Sequence, residues 1–174
     1  MSHPGRRRML AGGAALFGAA LLLPRRTQAG GREAGREAPA FDVEGVGSDR
    51  VRLADLRGKV VLLHFWASWC PDCQPLFDWA GDLQVAHAAQ GLKVLGIGVD
   101  GRRAEADAFL VQHAARFLVG FDPSARLPRS YGIDAMPAVL LIARDGRVLQ
   151  SVQGWTRADR KRLEAALAAA LAQR

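Results

Sequence analysis

Two cysteines with two residues between them are the only thiols of the chain. They stand in the segment Trp69-Cys70-Pro71-Asp72-Cys73. A pair at this spacing can close into a disulfide, and its thiolate can attack the disulfide of another molecule. The first thiol must be activated, whereas the second must only reach the mixed disulfide. The spacing therefore predicts thiol–disulfide exchange, with Cys70 as the attacking residue and Cys73 as the resolving one.

Two predicted elements flank the cysteine pair. The segment 60–66 is nearly all apolar, which is typical of a strand buried on both faces. A helix is predicted from about Pro71, a residue that the first turn tolerates, to about Gln90, with Gly91 ending it. At this junction we expect Cys70 to lie at the helix N-terminus, where the helix dipole and free N–H groups favour the thiolate.

The rest of the chain alternates between strand and helix patterns. A strand–helix–strand unit requires a parallel pair with a right-handed crossover, and hairpins add antiparallel strands. The sequence therefore predicts an α/β fold with a mixed central sheet flanked by helices. The further predicted elements are strands at 41–43, 51–53, 94–99, 138–142 and 148–152, and helices at 104–115, 124–131 and from Thr156-x-x-Asp159 to about 173.

Three other interpretations of the cysteine pair are weaker. It could be half of a zinc site, but the chain has no other cysteine, and His64, His87 and His113 are scattered along it. It could be a purely structural disulfide, but so small a loop constrains the unfolded chain little. It could be coincidental, but a strand before the pair and a helix after it form the context typical of redox motifs. We therefore expect no metal site and no cofactor.

Composition limits the class of protein. The chain has 174 residues, 49% of them apolar and 24% charged, which fits one globular domain and excludes a mainly disordered chain. The net charge of +7 arises mostly from five arginines among the first 29 residues, which contain no acid. Without this segment the net charge is +2, and no basic stripe with aromatics follows, so a nucleic-acid partner is not expected.

The first 29 residues have the pattern of an export signal. Three arginines, Arg6 to Arg8, precede an apolar run of fourteen residues at 10–23, and Thr27-Gln28-Ala29 predicts cleavage before Gly30. The order Arg6-Arg7-x-Met-Leu indicates a twin-arginine signal. An uncleaved membrane anchor is the alternative. We expect a linker at 30–38, a single domain at 39–174, and a location in the periplasm or otherwise outside the cytoplasm.

The segment from Gly58 to Cys73, Gly-Lys-Val-Val-Leu-Leu-His-Phe-Trp-Ala-Ser-Trp-Cys-Pro-Asp-Cys, resembles the thioredoxin fold. More narrowly, it is similar to the exported thiol–disulfide oxidoreductases of the TlpA/ResA-like family. The stretches at 38–41 and 53–59 resemble the N-terminal extension of that family, and 102–127 its central insertion. The resemblance implies a thioredoxin-like sheet with an N-terminal hairpin extension and a central helical insertion.

The same resemblance implies residues that contact substrate. Pro137, in Tyr-Gly-Ile-Asp-Ala-Met-Pro, matches a proline that is cis in the family and faces the active-site disulfide. Met136 before it is then placed to contact a bound peptide, and Trp69 to shield Cys70. Trp66 and Trp79 are expected in the core.

Three positions depart from the family pattern. The family usually has proline just before the second cysteine, whereas this chain has Pro71 followed by Asp72. A carboxylate near the Cys70 sulfur would favour the disulfide. The alternative is that Asp72 is a solvated residue that interacts with the helix dipole. His64 stands where thioredoxins have a buried acid, and it either accepts a proton from Cys73 or is a hydrogen-bonded core residue. Leu76 stands where ResA-like members have glutamate, so that role does not carry over.

The resemblance also implies partners. A reductase in an oxidising compartment needs an electron donor, and the family suggests a membrane thiol relay of the CcdA or DsbD type. Its substrates would be disulfide-containing proteins such as apocytochrome c or copper-site proteins. Two functions remain as alternatives: a DsbA-like oxidant, and a chaperone that binds Cu(I) through Cys70 and Cys73 without exchange. A peroxidase is poorly supported because the resolving cysteine is so near.

Overall fold

The computed structural model of the chain describes residues 34–173. The predicted export signal at 1–29, its cleavage before Gly30 and the first part of the predicted linker lie outside these residues. None of the helices between residues 34 and 173 has the length and apolar character needed to cross a bilayer.

Seven strands of the described chain form one mixed sheet. Its order is β2–β1–β5–β4–β3–β6–β7. Strand β3 pairs in parallel with β4, and β4 with β5, whereas the other neighbours are antiparallel. The strands are β1 Asp42–Gly45, β2 Arg50–Arg52, β3 Val60–Trp66, β4 Leu92–Gly98, β5 Leu118–Phe121, β6 Ala138–Ile142 and β7 Val148–Gln153.

Helices cover both faces of this sheet. They are α1 Cys73–His87, α2 Arg103–Gln112, α3 Arg126–Ser130 and α4 Arg157–Ala172. Leu76 of α1 and Leu163 of α4 pack in one cluster with Leu62 of β3. Because successive strand residues point to opposite faces, Phe65 belongs to the other face, where its ring lies 5.9 Å from that of Tyr131, just after α3. The predicted thioredoxin-like α/β architecture is confirmed.

The N-terminal segment is tied to the body of the domain. The Tyr131 hydroxyl donates to the Pro39 carbonyl at 2.7 Å, and burial raises the pKa of that phenol. Gly35 donates its N–H to the Val148 carbonyl at 2.7 Å, and Ala38 donates to Gly146 at 2.9 Å. The end of the predicted linker therefore lies along the β6–β7 hairpin.

Most predicted elements are present, with shifted ends. The hairpin β1–β2, the strand over 60–66 and the capping box of Thr156 and Asp159 before α4 are confirmed. Strand β5 was not predicted, because its four residues lie within the segment that resembles a helical insertion. Helix α2 ends at Gln112 instead of about residue 115. The extra strand is what connects β1 to the main sheet.

Candidate active site

The two cysteines are joined in a disulfide, with their Cα atoms 5.4 Å apart. Cys70 is 6% exposed, whereas Cys73 has no exposed surface. The Cys73 N–H donates to the Cys70 carbonyl at 3.1 Å and closes the turn between them. Of the two cysteines, Cys70 is therefore the one that another molecule can approach.

Helix α1 begins later than predicted, at Cys73 instead of about Pro71. Cys70, expected directly at the helix N-terminus, therefore lies in the turn that precedes the helix. Asp72 occupies the N-cap position, but its side chain accepts no capping hydrogen bond. Pro75 fits the first turn because N–H groups there have no intrahelical acceptor.

The loop between β3 and Cys70 is held by a carboxylate from the next strand. The backbone N–H of Ser68 donates to both Asp100 oxygens at 3.1 Å, and the Ser68 hydroxyl donates to Oδ1 at 2.6 Å. Asp100 stands two residues after the end of β4 and is only 2% exposed. The Val99 N–H also donates to the Trp66 carbonyl at 2.9 Å, so the two strand ends stay together.

The surface around Cys70 is formed by exposed side chains. Trp69 is 65% exposed, a large fraction for an indole. Pro71 and Asp72 are exposed as well. Trp66, by contrast, is fully buried, and Trp79 is nearly so, as predicted for core residues.

The loop before β6 contains a cis peptide bond between Met136 and Pro137. The cis form expected from the family resemblance is present at this bond. Ala138, the next residue, pairs with Phe65 near the end of β3. Because β6 starts at the sheet edge where β3 ends, the cis-proline loop and the cysteine loop lie at the same edge. Pro137 is buried and Met136 is half-buried.

One side chain from β7 holds the cis-proline loop. Gln153 accepts from the N–H of Asp134 at 2.8 Å and from that of Ala135 at 3.0 Å, and its amide donates to the Gly132 carbonyl at 3.1 Å. The Gly154 N–H donates to the Pro137 carbonyl at 2.8 Å. The end of β7 therefore fixes both sides of the cis bond.

His64 lies in an aromatic layer beneath the site. Its side chain is fully buried, and neither ring nitrogen has a hydrogen-bond partner among the described residues. The imidazole packs nearly perpendicular to the rings of Phe77 and Phe117, with ring centroids 5.8 and 5.1 Å away. Burial lowers its pKa from 6.5 to about 3. His64 thus lies in the core without the hydrogen bond that one of the two interpretations of this residue supposed.

Comparison with known proteins identifies the family. The family model described as Redoxin matches residues 33–167. The chain belongs to the Redoxin family. It is 32% identical over 130 residues to the thiol-disulfide oxidoreductase ResA of Oceanobacillus iheyensis, covering 72% of this chain and 68% of the relative. It is 30% identical over 122 residues to the ResA of Bacillus thuringiensis subsp. konkukian, covering 70% of each.

A solved structure agrees with this assignment. The protein described as thiol:disulfide interchange protein DsbE from Chlorobium tepidum superposes with a TM-score of 0.76 and is 40% identical in sequence. The match covers 79% of this chain and 97% of that one. This Redoxin-family chain is therefore a thiol–disulfide oxidoreductase of the ResA/DsbE type, with Cys70 and Cys73 as its close cysteine pair.

Sequence reasoning missed two residues of the site. Asp100 carried a signal, because an acid directly after a buried strand falls at the sheet edge where sites form; its partner Ser68 lies 32 residues away and could not be read from the sequence. Gln153 carried none, since a glutamine on an exposed edge strand is ordinary. Between residues 34 and 173, no group of three or more His, Cys, Asp and Glu side chains is placed to hold a metal.

Proposed function

We propose that this Redoxin-family oxidoreductase reduces disulfide bonds of proteins outside the cytoplasm, with Cys70 as the attacking thiolate and Cys73 as the resolving thiol. The observation that supports these roles is the unequal exposure of the two cysteines, 6% against 0%. A substrate disulfide can approach Cys70 without unfolding the site, whereas Cys73 can react only with a sulfur already bound at Cys70.

The exchange proceeds in two balanced steps. The Cys70 thiolate attacks one sulfur of the substrate disulfide, forms a mixed disulfide and releases the other substrate sulfur as a thiolate. The Cys73 thiolate then attacks the Cys70 sulfur, which restores the Cys70–Cys73 disulfide and releases the second substrate thiolate. Two electrons have passed to the substrate, and the enzyme must receive two electrons and two protons before the next cycle.

His64 is the proposed acceptor for the Cys73 proton in the second step. Cys73 and Phe77 are four residues apart on α1 and share a face, and the imidazole of His64 contacts that Phe77 ring. Burial lowers the pKa of the imidazole to about 3, so the ring is neutral at physiological pH and burial alone opposes its protonation. A Cys73 thiolate formed nearby would stabilise the imidazolium by charge attraction.

The substrate-contacting residues are proposed to be Trp69, Met136 and Pro137. Trp69 offers an exposed flat apolar surface beside Cys70. The cis-proline loop lies at the same sheet edge and presents a half-buried Met136. Together they would hold an extended peptide on each side of the reacting disulfide.

The direction of electron flow is proposed from Asp72. Its exposed carboxylate, two residues from Cys70, would disfavour the thiolate and thus stabilise the disulfide, which makes the dithiol a stronger reductant. A membrane thiol relay of the CcdA or DsbD type would supply the electrons. The predicted export signal supports a periplasmic location, with cytochrome c maturation or copper-site assembly as the process served.

The deciding experiment is the reduction potential of the cysteine pair in the purified full-length chain. The protein is equilibrated in glutathione or dithiothreitol buffers and its free thiols are alkylated and counted. A potential near thioredoxin's roughly −270 mV supports the reductase. A potential near DsbA's roughly −120 mV would contradict it and would assign a disulfide-forming oxidant.

A trapping experiment separates the roles of the two cysteines. The Cys73→Ala variant should accumulate a mixed disulfide with a peptide disulfide, because Cys70 can attack but nothing resolves the product. Cys70→Ser should form no adduct and show no turnover. If instead Cys73→Ala forms no adduct, the parent chain binds Cu(I) and each single-cysteine variant loses that binding, the protein is the metal-binding chaperone kept above as an alternative.

A further inference from the structure

Asp100 is a buried acid with an unusual set of partners. It is 2% exposed, and no ion pair of the described residues reaches it. All three of its side-chain hydrogen bonds come from a single residue, Ser68. Burying a carboxylate without a cation is costly unless hydrogen bonds compensate, so the arrangement calls for a reason beyond packing.

We propose that Asp100 is a positioning residue of the redox site, which fixes the loop leading into Cys70 and biases the cysteine pair toward the disulfide. Ser68 is two residues before Cys70 on that loop. Both its backbone N–H and its hydroxyl are bound by the carboxylate, so the backbone and the side chain of the loop are fixed together. Trp69, the residue between them, is thereby held in its exposed position.

The bias toward the disulfide follows from charge. A buried carboxylate is screened less than an exposed one, so its field reaches further into the site. A negative charge hydrogen-bonded to the loop that carries Cys70 disfavours a thiolate at Cys70, whereas the disulfide is uncharged and is not disfavoured. Asp100 therefore favours the disulfide as Asp72 does, but from the buried side of the cysteine loop.

Two substitutions separate the charge from the hydrogen bonds. Asp100→Asn removes the charge and keeps an oxygen that can accept from Ser68. Ser68→Ala removes one hydrogen bond and leaves the charge and both backbone bonds. Asp122→Asn is the matched control, because Asp122 is also buried just after a strand, β5, and accepts from Ser124 and the Leu127 N–H instead of the cysteine loop.

The measurements use the full-length protein in its oxidised and reduced forms. The pKa of Cys70 is taken from the rate of alkylation by iodoacetamide against pH, and the oxidised fraction from glutathione buffers. We expect Asp100→Asn to lower the Cys70 pKa and to shift the equilibrium with glutathione three- to tenfold toward the dithiol. A tenfold shift corresponds to about 30 mV for a two-electron couple.

The Ser68→Ala and Asp122→Asn variants are compared with Asp100→Asn in the same two measurements. Ser68→Ala should leave the Cys70 pKa unchanged but slow exchange with a peptide disulfide severalfold, because the loop is held less firmly. Asp122→Asn should change neither quantity, although it loses stability. If Asp100→Asn and Asp122→Asn both lower only the melting temperature, Asp100 is a structural residue and the proposal is overturned. A Cys70 pKa that rises in Asp100→Asn would overturn it as well.

Discussion

His64 occupies the space that a side chain on Gly96 would need. The two residues are partners across the parallel strands β3 and β4. A Cβ at position 96 would lie 2.7 Å from the His64 Nε2 and 2.9 Å from Phe117 Cε2. Glycine on the central strand thus makes room for an imidazole that finds no hydrogen-bond partner among the described residues. The aromatic layer under the cysteines is built around this pair.

The Gly96→Ala variant should therefore lose stability. The fully buried imidazole has no room to move aside, and overpacking of this kind costs roughly 1–3 kcal/mol of unfolding free energy. Urea denaturation measures the loss. The control is Gly101→Ala, where an added Cβ meets nothing within 4 Å. Combining Gly96→Ala with His64→Ala should cost less than the sum of the two changes; strict additivity would show that the contact is not the cause.

His64 should also make stability depend on pH. Its pKa is lowered to about 3 in the folded protein, so between that pH and about 6.5 the unfolded chain binds a proton that the folded chain does not. The unfolding free energy should therefore fall as pH falls below about 6.5, by roughly 1.4 kcal/mol per pH unit from this residue alone.

The His64→Leu variant tests this dependence. The leucine side chain does not titrate, so the fall between pH 7.5 and 5.5 should shrink, while changes due to carboxylates stay. His64→Asn serves the same purpose if the leucine variant does not fold. Parallel curves for the parent and both variants would mean that His64 does not set the pH dependence.

Much of the fold could be predicted because the strong patterns decide it. The apolar run of β3 and the capping box of α4 are local signals that tertiary packing did not override. Strand β5 was missed because it is four residues long and becomes a strand only by pairing with β4 and β1. The start of α1 shifted by two residues because Pro71 and Asp72 close a turn around the disulfide instead of starting the helix.

The site was predictable to the extent that its chemistry lies in one segment. The spacing of Cys70 and Cys73 indicated the redox pair, and family resemblance pointed to the cis bond at Pro137. The side chains that hold the cysteine loop and the cis-proline loop come from other parts of the sheet. Asp100 and Gln153 reach the site only after the sheet has formed, and their hydrogen bonds span 32 and up to 21 residues of sequence.

Asp72 should tune the redox equilibrium. Replacing it with asparagine removes an exposed negative charge beside Cys70, so the thiolate gains stability and the potential becomes more oxidising. We expect less than a tenfold change in the equilibrium constant with glutathione, equivalent to under about 30 mV, and a smaller change at high salt because exposed charges are screened. Asp78→Asn, an exposed acid further along α1, is the control. A shift in the reducing direction, or an equal shift in both variants, would refute the charge argument.

Gln153 should affect substrate binding more than chemistry. Its three hydrogen bonds hold residues 132–135, which lead into the cis bond, and none of them touches the cysteine loop. Gln153→Ala should raise KM for a peptide disulfide several-fold, since exposed hydrogen bonds are worth roughly 0.5–1.5 kcal/mol each at most.

The Cys70 alkylation rate and kcat of Gln153→Ala should change little, because the reacting sulfurs keep their surroundings. Gln150→Ala is the matched control: position 150 lies on the same strand, three residues earlier, where the side chain points to the opposite face of the sheet. Steady-state kinetics with a fluorescent peptide disulfide distinguish the outcomes. If kcat falls while KM is unchanged, the cis-proline loop takes part in the exchange step itself, and its assignment to substrate binding is wrong.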